Sequence, residues 1–307
     1  MIKRTHILGL LLLTAFVTAG IVLLRSGVYG WTLFILVPLF LGCASCWIFS
    51  PPDPWSAAAQ GAVSAIVASG LPLLLGLDGL ACMIMALPVT VPFGALGGVL
   101  AYYAKQPVVN VKNFTALLLL PAATLAWDTK ARPPVFQVRT QIVVHATPEE
   151  VWQHVITFPD LPEPREWYFH TGLAYPQRAH IDGSGPGAVR YCEFSTGAFV
   201  EPIDVWDEPH LLRFRVTANP APVAEWSPYG AIQPKHLHGY LVSRHGQFRL
   251  APLPNGNTLL EGTTWYQHGL WPAQYWRWWS DAIIHRIHLR VLNEVRILAE
   301  RGARRAW

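Results

Sequence analysis

The stretch Phe136-Gln-Val-Arg-Thr-Gln-Ile-Val-Val-His-Ala-Thr-Pro-Glu-Glu-Val-Trp152 decides the architecture of the C-terminal half of this chain. Val138, Thr140, Ile142 and Val144 alternate with Gln137, Arg139, Gln141 and Val143, and a period of two marks a strand. A helix starts immediately after it. Thr147 reads as the N-cap, Pro148 as the first helical residue and Glu150 as the closing member of a capping box, so the helix 149–157 buries Val151, Trp152 and Val155. Further strands are predicted at 178–182, 188–196, 199–206, 210–217, 239–250 and 258–268. The first two are joined by Gly183-Ser-Gly-Pro-Gly187. This G-x-G is a hairpin turn rather than a nucleotide fingerprint, because β-prone residues follow it where a phosphate-binding loop must open a helix. Residues 219–237 carry four prolines and read as a long loop. From 272 to 301, Tyr275, Trp279, Ile283, Ile287, Val291, Val295 and Leu298 recur every third or fourth position, one stripe of a long amphipathic helix. Such a helix needs a wide apolar partner, and a curved antiparallel sheet supplies one.

The rest of the chain has a different composition. Its 307 residues are 52% hydrophobic and 14% charged, with a mean hydropathy of +0.27, against roughly 25% charged for an ordinary soluble chain. Lys3, Arg4, Arg25, Asp53, Asp78, Lys105 and Lys112 are the only charges before residue 128. Beyond it, basic and acidic residues nearly balance, which excludes a nucleic-acid protein with its concentrated basic face. Spans are expected at 7–24, 31–49, 58–77, 80–104 and 108–127, four or five in all, the last being the shortest in apolar length. The apolar run 7–24 is too long for a signal peptide, and more spans follow it. The organisation is thus a transmembrane helical region 1–128, a linker 129–134 around Pro133 and Pro134, a soluble domain 135–301 and a basic tail 302–307. The spans hold almost no ionisable groups, so an anchor or small bundle is expected and an ion path is not. Lys3 and Arg4 place the N-terminus inside, and five crossings then put the soluble domain outside a bacterial inner membrane.

Ile142-Val-Val-His-Ala-Thr-Pro-Glu-Glu-Val-Trp152, the later turn Asp207-Glu-Pro-His-Leu-Leu212 and the terminal helix together resemble the START-like, or polyketide cyclase/dehydrase-like (SRPBCC), superfamily over about 135–300. The resemblance implies an α+β helix-grip (START/Bet v 1-like) fold, an antiparallel sheet around a long C-terminal helix. Here an all-α transmembrane bundle precedes it. It also implies a hydrophobic cavity, since members bind lipids, quinones, polyketides or plant hormones, and a few catalyse. The superfamily has no common catalytic set to carry over.

The expected activity is therefore membrane-anchored binding of an apolar small molecule such as a lipid, quinone or polyketide-like ligand, with the bilayer as the other partner and no cofactor. The alternatives are a cyclase- or dehydratase-type enzyme using an inward carboxylate or His, and a structural membrane protein whose core is filled by side chains. A cavity of roughly 300 Å³ or more separates the first two from the third. Cavity candidates are Trp152, Tyr191, Glu193, Glu261, Trp265, Tyr275, Trp279, Ile283 and Ile287. Glu193, Glu201 and Glu261 lie in strands; an inward one must be paired or neutral, with Arg190, Arg215 and Arg249 as available partners. His236 with His238, and His285 with His288, have metal-like spacings, but nothing in the sequence joins the two pairs and no metal is assigned. Cys43-Ala-Ser-Cys46 reads as small-residue helix packing, with a redox pair as the alternative. No nucleophile elbow, H-E-x-x-H or P-loop occurs, so catalytic residues are not assigned.

Overall fold

A computed structural model describes residues 4–105 and 114–305. The chain divides into two compact units: Met1–Arg132 with Glu225–His236 and Leu270–Pro272, and Pro133–Ala224 with Leu237–Gly269 and Ala273–Trp307.

The first unit is helical: α1 (Arg4–Ser26), a π-turn (Thr32–Leu36) running into α2 (Val37–Phe49), α3 (Pro54–Leu74), α4 (Leu80–Ala104) and α5 (Phe114–Lys130). Four helices are long and apolar enough to cross a membrane: His6–Ser26, Thr32–Phe49, Pro54–Leu74 and Leu80–Ala104. The expected fifth span, 108–127, begins outside the described residues, and its described part lies in α5. Helix starts use local acceptors. The Asp53 carboxylate accepts the amides of Trp55 and Ser56 at 2.9 Å each, with Pro54 opening α3. Asp128 does the same for Trp31 and Thr32 across the unit, at 2.9 Å each. Close packing holds helices of this kind together, and small residues permit it. A Cβ on Gly98 would stand 2.1 Å from the Ala57 carbonyl oxygen of α3. Cys43 and Cys46 are buried thiols packed with Ala57 and Ala101, and Cys43 Sγ donates to the Gly97 carbonyl at 3.2 Å. The C-x-x-C spacing serves packing. Part of the long proline-rich loop also belongs to this unit, as a small hairpin of β6 (Glu225–Ser227) and β7 (Gly230–Ile232).

The second unit carries β1 (Val135–Val144), α6 (Pro148–Ile156), a 3₁₀ turn (Trp167–Thr171), β2 (Pro176–Asp182), β3 (Val189–Phe194), β4 (Gly197–Asp207), β5 (Leu211–Arg215), β8 (Leu241–Pro252), β9 (Thr258–His268) and α7 (Ala273–Arg305). The seven strands form one antiparallel sheet in the order β1-β9-β8-β5-β4-β3-β2. The alternation that identifies β1 is realised: Phe136, Val138, Thr140 and Val144 are buried between exposed neighbours. The capping box of α6 is present, Thr147 N donating to Glu150 Oε2 at 2.9 Å. The β2–β3 turn is the antiparallel hairpin expected of Gly183–Gly187. Here Gly183 and Gly187 take φ of 87° and 93°, a region costly for any residue with a Cβ. Helix α7 and α6 pack on the inner face, around Val151, Trp152, Leu212, Leu250, Leu260, Leu292 and Val295.

Along α7 the buried stripe differs from the expected one in its first turns. Ala273, Trp276, Ser280 and Ile284 are buried, whereas Tyr275, Trp279, Ile283 and Ile287 flank them half-buried; Val291 and Val295 are buried as expected. Tyr275, Trp276, Trp278 and Trp279 spread bulky rings over an arc of about 160° at 100° per residue, so periodicity alone does not choose among them.

Candidate functional site

Between the inner face of the sheet and α7 lies a cavity of about 120 Å³. Its apolar wall includes Phe194, Phe199, Phe214, Phe248, Ile283 and Ile287. Alternation along β3 turns Arg190, Cys192 and Phe194 inward and leaves Val189, Tyr191 and Glu193 on the other side. The volume falls short of the roughly 300 Å³ expected for a ligand cavity, a point toward the side-chain-filled reading, because the phenylalanine rings occupy much of the concavity.

Arg190 is the polar centre of this wall. The β3–β4 register sets it opposite Glu201, and the two side chains form an ion pair through Arg190 Nη1 and Glu201 Oε2. Arg190 is 1% and Glu201 6% exposed. The guanidinium also donates through Nε to the Ile156 carbonyl at 3.2 Å, and it lies 5.5–5.9 Å from the ring centres of Phe158, Phe214 and Phe248. A planar, weakly hydrated cation suits such surroundings better than an ammonium. Burial raises the Glu201 carboxyl, and Arg190 opposes that rise without cancelling it. Arg190 Nη2 is buried with no hydrogen-bond partner in the structure, a donor left over at the cavity wall.

His288 on α7 is the second polar group. Its Nδ1 lies 3.1 Å from Thr140 Oγ1 and its Nε2 2.8 Å from Thr264 Oγ1. His285 Nδ1 reaches the same Thr140 hydroxyl at 2.8 Å. Burial, helped by the nearby His285, pushes His288 down to about 4. The ring is therefore neutral at pH 7, and both nitrogens are engaged by hydroxyls. His245, exposed, stands on the open side of the wall.

Of the nine residues expected at a cavity, Ile283 and Ile287 line it. Trp152 is fully buried and packs edge-on against Trp206, with ring centres 5.7 Å apart. Tyr191 stacks on His180, and Glu193 pairs with Arg178 at 2.8 Å, beside a polar recess. Glu261 accepts from Gln141 at 2.6 Å and faces Arg139 at 3.5 Å; Trp265 pairs in register with Gln137. Gln137, Arg139 and Gln141 are exposed, so Glu261 and Trp265 sit on the sheet face away from α7. Tyr275 and Trp279 lie off the cavity wall. The inward Phe194, Phe199, Phe214 and Phe248 are not among the nine, although strand alternation carries that signal once an inner face is known.

No curated protein matches the chain. Among solved structures, norcoclaurine synthase from Thalictrum flavum is similar at 11% identity, covering 57% of this chain and 99% of its own, with a TM-score of 0.37. The Zhui aromatase/cyclase from Streptomyces sp. R1128 is similar at 18% identity, covering 56% and 98%, with a TM-score of 0.36. The family profile described as polyketide cyclase/dehydrase and lipid transport matches residues 135–269. That match, the antiparallel sheet of seven strands and the C-terminal helix it wraps identify the second unit as an SRPBCC/START-like helix-grip domain, a fold generally associated with binding apolar small molecules.

Proposed function

We propose that the helix-grip domain binds a largely apolar molecule through a ring-sized group bearing a carbonyl or hydroxyl oxygen, as a quinone, a polyketide-like compound or an oxygenated lipid would. The observation that carries this reading is the leftover Arg190 Nη2 donor at a mostly apolar wall. A buried donor without an acceptor costs about 1–3 kcal/mol, and a ligand oxygen would recover it. A cavity of about 120 Å³ is close to the engineered protein cavity of roughly 150 Å³ that takes a benzene ring. Longer ligands need the wall at Asn219–Pro222 to yield.

Binding is favoured over cyclase- or dehydratase-type catalysis because the two inward candidates for proton transfer are committed elsewhere. Glu201 is held by Arg190, and both His288 nitrogens are held by threonine hydroxyls. The four helices of the first unit that are long and apolar enough to cross a membrane support reading the chain as an integral membrane protein. With the segment 108–127 as a fifth crossing, the domain lies outside a bacterial inner membrane.

Native mass spectrometry of the full chain in detergent tests the binding. A co-purified adduct of defined mass is expected on the wild type and absent from Ile287→Trp, which fills the cavity. A folded wild type that carries no adduct, and gains none from added quinone or fatty acid, overturns the reading in favour of a side-chain-filled structural domain.

A further inference from the structure

A second polar cluster lies in the helical unit. Asp78 precedes α4 and Cys82 is in its first turn, four residues on, so both sit at one helix end. Glu225 opens β6, and His236 follows β7 in a 3₁₀ turn (Lys235–Leu237). One ligand atom from each of the four lies within 4.8 Å of all the others. Cys82 Sγ is 2.7 Å from His236 Nε2, Glu225 Oε1 is 4.0 Å from the same nitrogen, and Asp78 Oδ1 is 3.8 Å from His236 Nδ1.

The surroundings are those of a built site. The Glu225 side chain is 0% and the Asp78 side chain 14% exposed. Among the described residues, no lysine or arginine forms an ion pair with either carboxylate; the basic group near both is the His236 imidazole, which is charged only when protonated. Two carboxylates so enclosed repel one another and call for a cation. Glu225 also accepts the Ala81 and Cys82 amides, at 3.1 and 3.2 Å. Capping α4 explains Glu225 alone; it does not bring a thiol and an imidazole to the same point. Room for the carboxylate is reserved at Gly79, where a Cβ would stand 2.0 Å from Glu225 Oε2. The Tyr29 ring supports His236 edge-on, with centres 5.1 Å apart, and the Tyr29 carbonyl accepts the Trp271 amide at 2.9 Å. All three chain segments of the helical unit therefore meet around the cluster.

We infer that Asp78, Cys82, Glu225 and His236 form a structural zinc site that ties the 225–236 hairpin to the start of α4. Zinc accepts sulfur, nitrogen and oxygen donors together, and four protein ligands make a closed, structural centre. Magnesium and calcium take all-oxygen shells, which a thiol at the centre of the cluster excludes. Around zinc, donors at about 2.0–2.3 Å stand roughly 3.4 Å apart, so small side-chain movements convert the observed spacing into coordination. Cys82 gives up its thiol proton to solvent on binding. The resulting charge of −1 faces the N-terminus of α4, whose dipole favours it.

The test uses the full chain in detergent, stripped with a chelator and given zinc or cobalt(II) alone. Plasma mass spectrometry should find about one zinc per chain, and cobalt should give a thiolate-to-metal charge-transfer band. Cys82→Ser should abolish the band and His236→Ala should remove the metal, while Cys43→Ser/Cys46→Ser keeps both. A folded wild type that binds no zinc overturns the inference, as does cobalt binding without a thiolate band or a band that survives Cys82→Ser. Where a variant fails to fold, the wild-type cobalt spectrum with the Cys43/Cys46 control and a Cys192→Ala control still decides, since these are the other thiols of the chain.

Discussion

Replacing Glu201 with Leu strands the Arg190 guanidinium at 1% exposure. What remains to it is the hydrogen bond to the Ile156 carbonyl, the neighbouring Cys192 thiol and the faces of three phenylalanines. Removing one partner of a buried ion pair costs about 3–5 kcal/mol, because the other charge is left uncompensated. In a domain of 150–250 residues each kcal/mol moves the melting temperature by about 2–4 °C, so Glu201→Leu should lower it by roughly 6–20 °C. The double variant Arg190→Met/Glu201→Leu removes both charges and keeps the space filled. Such replacements are often neutral or stabilising, so its melting temperature should return to within a few degrees of wild type. Thermal melts of wild type, both single variants and the double variant, followed by circular dichroism, complete the cycle. Equal losses in Glu201→Leu and the double variant would show that the two charges do not compensate one another, and the account of this wall would be wrong. The double variant also separates stability from binding. It should stay folded yet lose the ligand adduct, because the Nη2 donor has gone with Arg190.

Three further outcomes are expected. His288 is pushed down to about 4 in the folded state, against about 6.5 unfolded; its contribution is present above pH 6.5 and lost as pH falls toward 4, up to about 3 kcal/mol. Melts from pH 8 to 4 should therefore fall more steeply for wild type than for His288→Gln, and parallel curves would refute the assignment. Gly98→Leu puts a side chain where the Ala57 carbonyl of α3 already lies, so the detergent-solubilised chain should aggregate on size exclusion, whereas Leu100→Val on the exposed face of α4 should stay monodisperse. A topology reporter fused after Trp307 should read extracytoplasmic; a cytoplasmic signal would mean that the segment 108–127 does not cross.

The features legible in the sequence are those that neighbouring residues determine. Alternation wrote β1, Thr147 and Glu150 wrote the start of α6, and apolar runs wrote the crossing helices, because each depends on contacts within a few residues. The order of these elements, with the motifs at 142–152 and 207–212, carries the resemblance to a helix-grip domain. Packing decided the rest. Near the start of α7, adjacent large rings left neighbouring stripes similarly apolar, and only tertiary packing buries Trp276 and Ile284 more deeply than Trp279 and Ile283. Arg190 was named as a possible partner for a strand glutamate, but only the β3–β4 register selects Glu201 for it. The size of the cavity follows from how far the inward phenylalanines fill it, which no periodicity records. The cluster of Asp78, Cys82, Glu225 and His236 was the least legible. More than 140 residues separate the Cys82 amide from the Glu225 carboxylate that accepts it, and a proline-rich loop gives no local sign that two of its residues belong to a helical unit far earlier in the chain. Local chemistry fixed which elements form; long-range packing fixed which side chains meet.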